Sequence, residues 1–312
     1  MKRETGKKAE VIWCCGNLAA FFLSLGKYSK ANRYNQEALS IASEIGDRVV
    51  KASSLLIQGT IFFSIGDCVK AEEYCRESLT ISKEIENRAV EARCWLCLGD
   101  VFFKKGEYVN AEEHFTKSLA ISEDIGDVFW HYQSLEKLAR LGLQEKRNQE
   151  AIPYLITAIE KCEKMRGSIP DNDQWKILFS DTKISSYQTL CTLLLQTGNR
   201  EPALHVSELG KARALADLMS AKYSVKNQVS ANPQTWSGIE SVMERERNCS
   251  CLYVSYSSNS MYFWILKKGG VMHFRAIGRK EIIAHEGLVQ NLEDFFCEQE
   301  LQKSWHATKG AT

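Results

Sequence analysis

The chain has 312 residues, 44% of them hydrophobic and 25% charged, with 40 basic residues against 39 acidic ones and a formal charge of +1. This is the balance of an ordinary soluble globular protein, with room for two domains or one long solenoid. It offers no basic surface for nucleic acid or an anionic membrane, and its four prolines suit a mostly helical chain.

Lys2, Arg3, Lys7 and Lys8 precede an apolar run from Val11 to Leu25, an arrangement resembling a secretory leader. No A-x-A cleavage pattern follows, and the run aligns with residues 51–65 and 91–105, so it is read as a repeat helix. No segment reaches ~18 uncharged apolar residues, so neither a membrane span nor a membrane partner is expected, and the setting is read as cytoplasmic.

Three stretches then lie over one another without a gap, starting at Gly26, Gly66 and Gly106, 40 residues apart. They read GKYSKANRYNQEALSIASEIGD, GDCVKAEEYCRESLTISKEIEN and GEYVNAEEHFTKSLAISEDIGD. A fixed period of this length predicts a stacked helical array whose units bury their apolar faces only against neighbours. In the third copy Trp95, Leu98, Gly99 and Phe102 precede the turn at Gly106, and Ala111, Phe115 and Ser118 follow it. The second copy gives Leu55, Gly59, Phe62, Gly66, Ala71 and Ser78; the first gives Leu18, Ala19, Phe22, Gly26, Ala31 and Ala38. A degenerate fourth copy gives Leu135, Leu138, Ala139, Ala151, Leu155 and Ala158.

This large, Leu, Gly, aromatic, small, aromatic, small pattern resembles the tetratricopeptide repeat (TPR). The resemblance covers residues 10–222 and implies antiparallel helix pairs in a right-handed solenoid. Small residues at Gly99 and Ala111 would let two helices approach, and a glycine at the turn can take φ > 0. A standard TPR has about 34 residues, so the copies carry about six more, which extend the second helix through Ile41, Ile45 and their equivalents. HEAT and armadillo repeats share the length but do not explain the small-aromatic-small spacing.

Eleven cysteines are present, mostly at helical-face positions among Leu, Ala and Phe. They are read as small buried thiols in a reducing compartment. Cys94 and Cys97 form a C-x-x-C inside a predicted helix, without a second pair or a histidine cluster for zinc, so packing is favoured over metal or redox chemistry. Neither a metal nor a cofactor is expected.

The four-repeat array is assigned to residues 1–166. A loop at Gly167, Ser168, Pro170, Asp171 and Asn172 opens a stretched fifth hairpin, 167–222, with helices from about Gln174 to Gln196 and Pro202 to Ala221. A connector spans 223–250. From Cys251 the period switches to alternation, predicting strands at Leu252–Tyr256, Met261–Leu266 and Val271–Ala276 and a helix over Lys280–Cys297. Residues 251–312 thus read as the opening part of an α/β domain. The segment Glu208–Met219 (ELGKARALADLM), with Trp236, Ile239, the strand Cys251–Tyr256 and FWILKKGG (Phe263–Gly270), resembles TPR proteins that end in a CHAT domain. Within these, the likeness is to the animal tetratricopeptide repeat protein 28-like group. CHAT proteases resemble caspases and pair a histidine with a cysteine nucleophile. None of His114, His131, His205, His273, His285 and His306 precedes a QACxG signature, and Cys297 reads as a helix-face residue, so no catalytic residue is assigned.

The TPR resemblance implies a concave groove lined by the first helix of each repeat. Its candidate residues are Trp13 and Leu23, then Leu56 and Phe63, then Arg93, Leu96, Asp100, Phe103 and Lys104, then Glu136, Arg140 and Leu143. Leu23, Phe63, Phe103 and Leu143 form an apolar row, flanked by Arg93 and Arg140 against Asp100 and Glu136. The asparagines with which chaperone-binding TPRs grip a terminal carboxylate are replaced by Ala20, Thr60, Asp100 and Arg140. Of the N-x-x-N ladders of cell-polarity adaptors, only Asn17 remains. The expected function is a non-enzymatic scaffold or adaptor holding a peptide or helix of a protein partner. The rival expectation is the regulatory arm of a caspase-like protease whose catalytic part lies outside this chain.

Overall fold

The structure, a computed structural model, describes residues 2–169, 173–210, 251–256, 260–267 and 270–278. The first four repeats form helix pairs: α1 (Lys2–Ser24) with α2 (Tyr28–Ile45), α3 (Arg48–Ile65) with α4 (Cys68–Glu84), α5 (Arg88–Lys105) with α6 (Tyr108–Asp124), and α7 (Val128–Gln144) with α8 (Asn148–Gly167). Helix α9 spans Asp173–Gln196, and residues 200–210 are helical (α10). The turns follow from local chemistry. Asp47, Asp67, Asn87 and Asp127 accept backbone N–H bonds at the starts of α3, α4, α5 and α7. The turn inside each pair places Gly26, Gly66, Gly106 and Lys146 at φ of 68°, 98°, 80° and 60°. Lys146 thus holds the left-handed conformation that glycine fills in the other three copies, as Glu86 does between repeats at φ 55°.

Packing follows the small-residue registers. Ala31, Ala71, Ala111 and Ala151 are fully buried, as are Ala38, Ser78, Ser118 and Ala158. A Cβ on Gly59 would meet the Cys75 sulfur at 2.6 Å, and one on Gly99 would run into the Phe115 ring, so close helix approach requires glycine at both. The hydroxyls at the small positions tie helices together, within a repeat at Ser78 and across a repeat boundary at Ser118. Ser78 Oγ donates to the Ala52 carbonyl at 2.7 Å, and Ser118 and Ser134 share a hydrogen bond at 2.9 Å.

Strands β1 (Cys251–Tyr256), β2 (Ser260–Lys267) and β3 (Gly270–Gly278) form an antiparallel meander in the order β1-β2-β3. One face packs on the end of the array, where Tyr262, Trp264 and Leu266 join the cluster of Leu190, Leu194, Ala203 and Leu204. Trp264 Nε1 donates to the Arg200 carbonyl at 3.3 Å, and Ser207 Oγ donates to Ser255 Oγ at 2.6 Å. The expected burial of this sheet within an α/β domain is therefore replaced, on this face, by burial against α9 and α10. The predicted connector 223–250 and helix Lys280–Cys297 lie outside the described residues.

Candidate protein-binding groove

The first helices pack on one another along the array, α1 on α3, α3 on α5 and α5 on α7, more extensively than the second helices α2, α4, α6 and α8 do among the described residues. Curvature therefore turns the first helices inward, and their free sides line the inner face.

Leu23, Phe63, Phe103 and Leu143, the residues of the expected apolar row, are each half-buried. Cations from the next repeat cover its central aromatics. Lys104 Nζ donates to the Phe63 carbonyl at 3.2 Å and lies 4.9 Å from the centre of its ring. The Arg140 guanidinium lies 4.6 Å from the Phe103 ring centre. Such stacking leaves a charged tip able to meet an anion while its flat side rests on the ring. Phe103 also packs against Tyr108, whose hydroxyl accepts a bond from Gln144.

The carboxylates expected to flank the row are already engaged. Lys137 Nζ donates to both Asp100 oxygens at 2.7 Å, and Arg140 donates to the same carboxylate at 3.0 Å. Glu136 accepts from the Ser186 hydroxyl of α9. Arg93 is largely buried, with its guanidinium 5.2 Å from the Trp130 ring centre and its Nε without a hydrogen-bond partner; burial pulls its pKa below the ordinary value. Leu56 and Leu96, 3% and 6% exposed, are core residues that could not touch a ligand without opening the array. Trp13 is the opposite case, 71% exposed on α1. The expected mixed-charge rim thus becomes Lys104 and Arg140 above a neutralised Asp100. Spacing put these charges on one face, but it did not give their pairing across a repeat boundary, between residues 37 and 40 positions apart. Lys137 was absent from the candidate set. Its signal is a lysine at the register that holds Ile57 and Cys97 in other repeats.

Among the described residues, no group of His, Cys, Asp and Glu could hold a metal ion, and no helix is long and apolar enough to cross a membrane.

A tetratricopeptide repeat profile matches residues 9–84. With the small-residue ladder and the repeated hairpins, that settles the repeat type. The chain carries a TPR array. It is 29% identical over 150 residues to tetratricopeptide repeat protein 28 of Homo sapiens, covering 47% of this chain and 6% of that protein. The Mus musculus protein of the same name is 30% identical over 129 residues, covering 40% of this chain and 5% of its own length. The chain therefore spans a small fraction of these relatives. Among solved structures, the apo form of RapI superposes with a TM-score of 0.51 at 20% identity, covering 69% of this chain and 74% of that one. A Rap protein in complex with competence and sporulation factor gives 0.52 at 13% identity, covering 69% of this chain and 57% of that one. These likenesses establish a TPR-like helical solenoid.

Proposed function

We propose that the inner face is an adaptor groove for a peptide or helical segment whose apolar side chains settle over Phe63 and Phe103 and whose carboxylates meet Lys104 and Arg140. The observation that carries this reading is the pair of half-buried aromatic rings, each lidded by an exposed cation from the following repeat. An incoming acidic side chain keeps the cation in place, and an incoming apolar one displaces its methylene stem from the ring. The Asp100 carboxylate orients Arg140 and offers little to a basic ligand, because Lys137 already neutralises it. The Rap protein solved with competence and sporulation factor is a precedent for a ligand on this fold. On this reading the protein is a non-catalytic, cytoplasmic scaffold. On the same reading residues 251–312 are the N-terminal part of a CHAT-like α/β domain, and its strands β1, β2 and β3 cover the end of the array.

The test is fluorescence anisotropy with labelled peptides of equal apolar content, flanked by glutamates or by lysines. The acidic set should bind and the basic set should not. Replacing both anchors, Phe63→Ala with Phe103→Ala, should cost about 2 kcal/mol or more, with unchanged circular dichroism. Arg140→Glu should weaken binding most at low salt. Equal binding of both peptide sets, or full binding by the double-alanine protein, would remove the groove from consideration.

A further inference from the structure

At one register, where the second helix of a repeat faces the first helix of the next, the array adopts a different chemistry at each boundary. Between the first and second repeats Asn35 fills it, donating to the Ser54 carbonyl at 2.9 Å and to Gln58 Oε1 at 3.0 Å. Between the third and fourth repeats Phe115 fills it, fully buried in one apolar cluster with Leu138 and Leu141 of α7. Between the second and third repeats stand two thiols. Cys75 on α4 and Cys97 on α5 point at each other with their sulfurs 2.8 Å apart. That is inside the contact distance of two sulfur atoms and about 0.8 Å longer than an S–S bond.

We propose that Cys75 and Cys97 are a modification site, an oxidisable pair that a hydroperoxide closes into a disulfide joining α4 to α5. Cys97 is partly exposed on α5, whereas Cys75 is fully buried behind it, so an oxidant reaches Cys97 first. The Cys97 thiol loses its proton, its sulfur attacks the peroxide, the O–O bond breaks, and a sulfenic acid forms while the departing hydroxide takes up that proton as water. The Cys75 thiol then attacks the Cys97 sulfur. The S–S bond forms, the S–O bond breaks, and hydroxide leaves with the Cys75 proton as a second water. Two thiols lose two electrons and hydrogen peroxide is reduced to two waters, which balances the step. The buried second thiol stays protonated until it is used: its hydrogen bond to Cys97, and then burial, hold the Cys75 pKa well above the ordinary value.

The neighbouring C-x-x-C partner is not the resolving thiol. Cys94 is fully buried, its sulfur lies 3.1 Å from the Ser78 hydroxyl on α4, and burial pushes its pKa up to about 12. The sequence motif and the structural pair therefore differ by one member.

Trypsin releases Cys75 in the peptide Ala71–Arg76 and both Cys94 and Cys97 in Cys94–Lys104. The dilute, reduced protein, treated with hydrogen peroxide and then blocked with an alkylating reagent, should give these two peptides cross-linked in a non-reducing map. Dithiothreitol should abolish the link. It should persist in Cys94→Ser and vanish in Cys97→Ser, which should stop at a dimedone-reactive or further oxidised species elsewhere. Circular dichroism should be unchanged by oxidation, because the sulfurs already face each other. Because the first arm uses the unmodified protein, a variant that failed to fold would not decide the matter. A Cys94–Cys97 link, cross-links only between molecules through the exposed Cys14, or thiols that stay reduced in the folded protein would each overturn the proposal.

Discussion

The two ends of the array carry similar helical patterns and meet opposite surroundings. On α1, Phe21 is 56% exposed, and Val11, Trp13, Leu18 and Leu25 lie open beside it. The residues at the Phe21 register in α3, α5 and α7 are Ile61, Val101 and Leu141, at 3%, 0% and 0%. What differs is the neighbour: each of the later helices has a preceding hairpin packed on that side. At the other end, α9 and α10 are covered by a sheet instead of a hairpin, with Trp264 and Leu266 fully buried among their leucines. A repeat helix carries its apolar stripe whether or not something covers it, because the stripe is written by the repeat and the cover is supplied by the fold. Closure by a sheet also uses the polar ends of the array. The Arg200 carbonyl and the Ser207 hydroxyl find partners across the boundary, which an apolar lid alone could not give.

The comparison breaks most visibly at the closed end. Trp264→Ala should cost about 3–5 kcal/mol and speed amide exchange in α9 and α10 before the interior repeats, read by hydrogen-exchange mass spectrometry. If α9 exchanged at its original rate, the sheet would not be what holds that end. In the interior, Leu141→Ala removes a fully buried side chain at the Phe21 register, for an expected loss of about 2–5 kcal/mol in urea unfolding. Overpacking is the milder insult: Gly99→Leu drives a side chain into the Phe115 ring, and a loss of about 1–3 kcal/mol should appear in the melting temperature. An unaltered melting temperature would contradict the assigned helix register. Loss of a cap comes next. Asp127 accepts from the Phe129 and Trp130 amides, so Asp127→Ala should cost about 1 kcal/mol, with Asp127→Asn close to the parent. Smallest of all, Phe21→Ala at the open face should stay within about 0.5 kcal/mol of the parent, although the chemically similar change at Leu141 does not. A Phe21 effect as large as that of Leu141 would show that the α1 face is covered in solution.

Much of the fold was legible because it is periodic. The glycine turns, the Ala31-to-Ala151 ladder and the extended second helices each leave a local mark in composition, and the alternation after Cys251 marks the strands. The groove was legible only as a list of positions facing one way. Phe63, Phe103 and Arg140 could be placed on the inner face from spacing. The burial of Leu56 and Leu96 could not, because a one-face stripe does not say how far the next repeat overlaps it. Nor could the capture of Asp100 by Lys137 and Arg140, a contact across a repeat boundary.

The cysteines show the same division most sharply. Sequence alone picks out Cys94 and Cys97, three residues apart on one helix, while the structure sets Cys97 against Cys75 of the preceding helix and turns Cys94 toward Ser78. The sequence by itself determined the repeat length, the helix pairs, their turns and the switch to strands, since all of these depend on residues within a few turns of one another. Only the tertiary structure decided which stripe is core, which is open, which charges are spent and which thiols meet. Those outcomes depend on how closely successive hairpins approach, and that distance is set by the summed packing of residues roughly a repeat apart.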